Sequence, residues 1–315
     1  MKILVDKYIP YLRGVVEPYA EVAYLEPEEF TPDRVHDADA LLIRTRTKAN
    51  AALLEGSRVR LVATATIGYD HIDTAWCEAH GIAWTNAPGC NAQAVCDYIE
   101  ASLPPFQGTI SPKGERVITL GVVGVGHVGS LVVEMAKAKG FSVLENDPPK
   151  GIGVSLEEIA RQCDIITFHT PMMKSGQYPT YHLCNEAFLA QCRPGTLIIN
   201  AARGGIVDEH ALLRSGLPYI LDTWEGEPNL NREVLAQAQQ ATYHIAGYSI
   251  QGKVNASNAC LQALSRTFGL PAMQVDATQI PQPGDSEPGW IERITAQLKA
   301  HPELFEVLRE SYALR

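Results

Sequence analysis

A chain of 315 residues, 46% hydrophobic and 20% charged, is long enough for two domains with sizeable cores, which excludes disorder as the default. Its formal net charge of −10, with no long basic run or basic aromatic patch, excludes the electrostatic footprint of a nucleic-acid binder. The opening MKILVDKYIPY meets Asp6 before a signal-like apolar core can form, and no apolar stretch approaches the ~20 residues of a membrane helix. Seven cysteines, an odd number with no CxxC pair, read as reduced thiols in a cytoplasmic protein.

Taken in order, residues 1–103 read as a first α/β unit, with strands expected over 2–5, 21–25, 40–43, 60–63 and 82–84 and short helices between them. After the turn Ala87-Pro88-Gly89, the residues Ala92, Val95, Cys96, Ile99 and Leu103 share one helical face, and Pro104-Pro105 ends that helix. The helix is expected to carry the chain out of the first domain, with 106–115 as a linker by its Pro, Gly and Ser content.

The stretch 117–147 carries the most information. An apolar run over 117–123 has the look of a strand buried on both faces of a parallel sheet. Gly124, Gly126 and Gly129 follow, then a helical repeat of apolar residues and a second strand that ends near Asp147. In that order the glycines permit a tight turn, a close approach to pyrophosphate and close helix packing. The helix N-terminus, with His127 and Val128, offers N–H groups to phosphate. Asp147 stands where an acid holds the adenosine ribose, which favours NAD over NADP. Glu145 is an equally placed acid, and Lys150 could serve a 2′-phosphate.

The alternation continues with helices over 155–162, 185–192 and 208–215 and strands over 164–168, 196–200, 219–222 and 241–245, a doubly wound sheet with right-handed crossovers. A long helix is expected over 252–268, returning to the first domain, then a Pro- and Gly-rich connector over 269–289 and two short amphipathic helices.

Ligands of parallel sheets bind beyond the carboxyl ends of strands, so the polar residues that end apolar runs are the ones to weigh. Arg203, between small residues, can hold a carboxylate in bidentate fashion. His244 has an ordinary pKa close to working pH and can take a hydroxyl proton. Glu227 is the nearest orienting anion, with Glu225 as its competitor. His169 reads as lining a pocket, and His71 and His182 as structural or surface residues. Arg44-Thr45-Arg46-Thr47-Lys48 ends another apolar run, which makes Arg44 and Lys48 candidate partners for an anionic group. No metal site is expected.

With these residues in place the chain resembles the D-isomer-specific 2-hydroxyacid dehydrogenases, through the glycine fingerprint, N-x-x-R-G-x-x-V-D (200–208), D-x-W-x-x-E-P (222–228) and the late His244. The segments 64–73, 87–92, 147–149 and HIAGYSIQGK (244–253) narrow the resemblance to members that act on a phosphorylated four-carbon acid. It implies that Arg203, Glu227 and His244 are catalytic, with His244 as the proton carrier. It implies cofactor contacts at Asp147, Thr170, Asp222 and Gly247, with Asp222 facing the nicotinamide amide, and substrate contacts at Thr45, Thr66 and Tyr248. The implied reaction is NAD-dependent oxidation of 4-phospho-D-erythronate to 2-oxo-3-hydroxy-4-phosphobutanoate, toward pyridoxal phosphate. With that substrate, Arg44 or Lys48 is expected to reach the phosphate.

The expected architecture is two Rossmann-like doubly wound parallel-sheet domains. Residues 105–250 form an NAD-binding domain inserted in a split substrate-binding domain, 1–104 with 251–268. Residues 269–315 are a linker and short helical extension, read as a reduced dimerisation region of a homodimer. Two alternatives stay open: the same chemistry on 3-phosphoglycerate or another D-hydroxy acid, and an NADH-sensing corepressor or scaffold of this fold.

Overall fold

The computed structural model describes residues 1–103, 117–280 and 289–314. The expected helix stop at Pro104-Pro105 and the linker 106–115 lie outside these residues, as does the part of the connector over 281–288. The chain divides into two compact units: Met1–Asn91 with the segment that starts at Tyr248, and Ala92–Gly247 with the C-terminal helices.

The first unit is built on a five-stranded sheet of β1 (Lys2–Asp6), β2 (Glu21–Leu25), β3 (Ala40–Ile43), β4 (Leu61–Thr64) and β5 (Ala83–Thr85). All pairings are parallel and the order is β2-β1-β3-β4-β5. β3 and β4 are buried along their whole length, the pattern of central strands covered on both faces. The helix Ile250–Phe268 packs on β4 and β5, with Val254, Leu261 and Leu264 among its buried residues. The strand order reverses at β1 and β3, so their carboxyl ends form the unit's topological switch point.

The second unit holds a seven-stranded sheet of β6 (Thr119–Val123), β7 (Ser142–Asp147), β8 (Ile152–Gly153), β9 (Ile165–Phe168), β10 (Leu197–Asn200), β11 (Tyr219–Leu221) and β12 (Gln240–Ala241). Its order is β12-β11-β10-β9-β6-β7-β8, parallel except for the β7–β8 pair. The helix Ala92–Ser102, expected to close the first domain, belongs to this unit. Val95, Cys96, Tyr98 and Ile99 join the core formed by Leu120, Val132, Val133 and Ala136. Its apolar stripe was visible in the sequence, but which core would take it was not. The helix Trp290–Ala300 also packs here: Thr295 accepts from the Ala241 N–H at 2.9 Å, and Lys299 donates to the Ala238 carbonyl at 2.6 Å.

The last strand is shorter than the expected 241–245. Past Ala241 the Thr242 and His244 N–H groups still bond the Leu221 and Asp222 carbonyls, but His244 turns left-handed at φ +60°, and the N–H groups of Ile245 and Ala246 go to the Asp222 carboxylate at 2.7 and 3.0 Å. The helix expected over 185–192 is one turn, Glu186–Leu189, capped by Asn185, and Ser155 and Asp208 are caps rather than first residues of their helices.

Candidate active site

The glycine turn follows β6 directly. Gly124 has φ +89°, and a Cβ there would lie 2.8 Å from the His169 carbonyl carbon, so the turn needs both the left-handed backbone and the missing side chain. At Gly129 a Cβ would lie 2.0 Å from the Gly124 carbonyl oxygen, which brings the helix His127–Ala138 hard against the strand. We expect Gly129→Ala to force the helix outward at about 1–3 kcal/mol. A lowered melting temperature together with weakened NADH binding would register this, and a variant that melts and binds like the parent would refute it.

A Cβ at Gly126 would meet nothing within 4 Å. Among the described residues nothing requires glycine there, and the space beside it is open to a group approaching from outside. Gly126 also caps the helix without a side chain, leaving the first-turn N–H groups of His127, Val128 and Gly129 for an anion. Asp147, at the end of β7, accepts from the Val125 N–H at 2.9 Å and so lies beside the glycine turn. The competing acid Glu145 is engaged elsewhere, with Lys137 at 2.9 Å. Lys150 donates to the Val125 carbonyl at 2.6 Å. At the end of β9, the His169 Nδ1 and the Thr170 hydroxyl are buried without partners among the described residues. Glycine turn, uncapped helix, strand-end acid and two unpaired polar atoms are a donor and acceptor set that fits a dinucleotide.

His169 also bonds Thr167 through Nε2 at 3.0 Å, and desolvation pushes its pKa down to about 3. It is a neutral lining residue, unsuited to take up a proton near neutral pH.

The three residues expected to carry chemistry are all in the second unit. Arg203 is exposed beyond the end of β10, and Asn200 shapes its loop, donating to the Arg203 carbonyl at 2.9 Å and accepting from the Ala202 N–H at 3.1 Å. At Gly204 a Cβ would lie 1.9 Å from the Trp224 carbonyl oxygen, so this loop packs on the turn that carries Glu227. Glu227 is held by the Trp224 N–H at 2.8 Å and meets the His244 Nδ1 at 2.9 Å. Its competitor Glu225 pairs with His182 at 2.6 Å, and its N–H donates to the buried Glu209 carboxylate at 2.6 Å.

His244 has φ +60°, a conformation costly for a side chain of this size. It is held there by Asp222, whose carbonyl accepts the His244 N–H at 2.9 Å and whose carboxylate takes the next two N–H groups and the Thr242 hydroxyl. Burial pulls the His244 pKa down, but the hydrogen bond and charge of Glu227, with Asp222 behind, more than offset it and leave the pKa raised. Because the Glu227 carboxylate can only accept, a neutral His244 carries its proton on Nδ1 and presents the lone pair of Nε2.

The expected substrate contacts Thr45, Thr66, Tyr248, Arg44 and Lys48 all fall in the first unit. Arg44 is half-buried at the end of β3, whereas Thr45 and Lys48 are exposed. Thr66 donates to the Gly68 carbonyl at 2.8 Å and contacts the Thr64 hydroxyl at 2.7 Å. Tyr248 is half-buried, and Gly247 immediately precedes it in the second unit. Sequence reasoning had no role for Asn200 or Glu209. The signals were there in an asparagine three residues before a loop arginine and an acid directly after Asp208.

A dinucleotide-binding turn joined to an Arg, Glu and His set defines an NAD-dependent hydroxyacid dehydrogenase. The family model described as D-isomer specific 2-hydroxyacid dehydrogenase, NAD binding domain, matches residues 108–246. The chain is 44% identical to an erythronate-4-phosphate dehydrogenase of Bacteroides fragilis, over 100% of this chain and 97% of that relative. It is also 44% identical to one from Porphyromonas gingivalis, over 86% and 76%. Among solved structures, an NAD+-bound 3-phosphoglycerate dehydrogenase from Entamoeba histolytica is 28% identical with TM-score 0.67, covering 88% of this chain and 98% of that one. A D-lactate dehydrogenase from Aquifex aeolicus, 23% identical with TM-score 0.67 and coverage of 89% and 97%, shares the fold. The chain belongs to the erythronate-4-phosphate dehydrogenase family, within the D-isomer specific 2-hydroxyacid dehydrogenases. It is an NAD-dependent oxidoreductase.

Proposed function

We propose that the chain oxidises 4-phospho-D-erythronate at C2 to 2-oxo-3-hydroxy-4-phosphobutanoate. The observation that carries this reading is the His244–Glu227 pair at 2.9 Å, on a chain 44% identical over its length to proteins named for that substrate. NAD, when bound at the glycine turn, accepts the hydride. His244 removes the C2 hydroxyl proton through Nε2, and Glu227 stabilises the imidazolium that forms. Arg203 holds the substrate carboxylate, and its charge opposes premature protonation of His244. Asp222 keeps His244 in its left-handed conformation. For a phosphate, Arg44, half-buried at the end of β3, is favoured over the exposed Lys48.

No described helix is long and apolar enough to cross a membrane. All seven cysteines are free, which supports a reducing, cytoplasmic setting, and a homodimer is the assembly this reading includes. NADH formation with 4-phospho-D-erythronate, 3-phosphoglycerate and D-lactate, in single-turnover and steady-state modes, tests the reading. Turnover of the first alone is expected. Turnover of 3-phosphoglycerate instead would change the substrate, and NAD binding without reduction of any kind would turn the reading toward a cofactor sensor.

A further inference from the structure

The segment 244–253 ends on a lysine that proton transfer does not use. Lys253 stands in the first turn of the helix Ile250–Phe268, whose cap Ser249 accepts from the Gly252 N–H at 3.0 Å. A cation there faces the positive end of the helix dipole, a placement that costs stability. Its ammonium is half-buried, 5.1 Å from the centre of the Tyr248 ring, and among the described residues no carboxylate pairs with it.

Its charged neighbour is a second cation. Burial first, and then the Arg44 guanidinium, push the Lys253 pKa down to about 8. Arg44 leaves the end of β3 at the switch point, beside the end of β1 with Asp6. Two acidic groups face this pair, the Asp6 carboxyl toward Arg44 and the Cys90 thiol toward Lys253. Burial raises the Asp6 carboxyl, and burial likewise raises the Cys90 thiol. Two half-buried cations of one unit, Lys253 without an ion-paired carboxylate among the described residues and beside the Tyr248 phenol, Arg44 at a strand end where such sheets bind ligands, suit a compact, multiply charged anion.

We infer that Lys253, together with Arg44, receives the phosphate of the substrate and sets the preference for phosphorylated over unphosphorylated acids. A phosphate monoester brings nearly two negative charges at neutral pH, which matches two cations and relieves their mutual repulsion. The inference rests on the proposed function only in taking the substrate to be phosphorylated.

Two measurements on the full chain test it. In the first, inorganic phosphate is titrated into the parent, Lys253→Met, Lys253→Arg and Arg44→Met, followed by phosphorus resonance broadening. Binding should be lost in Lys253→Met, weakened in Arg44→Met and largely kept in Lys253→Arg. In the second, the ratio of kcat/KM for 4-phospho-D-erythronate to that for D-erythronate should fall by about 10- to 100-fold in Lys253→Met, with NADH affinity retained. A structural role would lower both substrates together and leave the ratio unchanged. Phosphate binding by Lys253→Met equal to that of the parent, or an unchanged ratio, overturns the inference. If the parent oxidises no phosphorylated acid, the proposed function fails while the phosphate titration still decides the role of Lys253.

Discussion

Replacing His244 by Ala should lower kcat for hydroxy-acid oxidation by about 10²–10⁴, the usual contribution of a positioned general base, while NADH affinity stays near that of the parent. Glu227→Gln should act differently. Glu227 is the larger of the influences that raise the His244 pKa, so its neutralisation lets burial and Arg203 pull that pKa down. Oxidation needs the neutral imidazole, so activity is lost as pH falls through the His244 pKa. The acid limb of the kcat/KM profile should therefore move to lower pH in Glu227→Gln, while the plateau drops because the imidazolium has lost its anion. The reduction direction needs the protonated ring, so its alkaline limb should also move to lower pH. Glu225→Gln, whose carboxylate engages His182, should leave both limbs in place. A profile that moves in Glu225→Gln and not in Glu227→Gln would reverse the assignment made from the 2.9 Å contact.

Arg203→Met should show the second large effect. A bidentate guanidinium–carboxylate contact comprises two charge-assisted hydrogen bonds, each worth about 1.5–3 kcal/mol, so kcat/KM should fall by about 10²–10⁴. Arg203→Lys keeps the charge but not the fork and should recover only a fraction of that loss. Among the described residues the exposed guanidinium bonds only the adjacent Ala202 carbonyl at 2.7 Å, so its removal should hardly change the melting temperature. A large fall in melting temperature would reassign Arg203 to structure. Because Arg203 also lowers the His244 pKa, the acid limb should move to higher pH in Arg203→Met, opposite in sign to Glu227→Gln.

The strands and the glycine turn were legible in the sequence because their causes are local. Apolar runs over 40–43, 165–168 and 197–200 are long enough for strands buried on both faces, and each is buried throughout. Gly124 and Gly129 announce a turn and a close packing within six residues of each other. Arg203, Glu227 and His244 were legible as candidates because each stands just past an apolar run, where a parallel sheet presents its ligands.

What the sequence could not decide depends on backbone paths between distant residues. Glu225 and Glu227 both stand near His244 in the sequence, with the family spacing favouring Glu227, and the turn 224–228 sends Glu227 to His244 and Glu225 to His182. The apolar stripe of Ala92–Ser102 fits any core, and tertiary packing assigned it to the second unit. The expected strand 241–245 looked regular, but His244 takes a left-handed backbone and the Ile245 N–H goes to the Asp222 carboxylate, a side chain 23 residues away that competes with the neighbouring strand for that donor. Lys253 was visible as the last letter of a segment. Its meaning came from a cation on another element, at the end of β3, which no periodicity along the chain can reveal. The sequence determined the local elements and the inventory of reactive groups, and the tertiary structure decided their partners, because hydrogen bonds and charge act through space rather than along the chain.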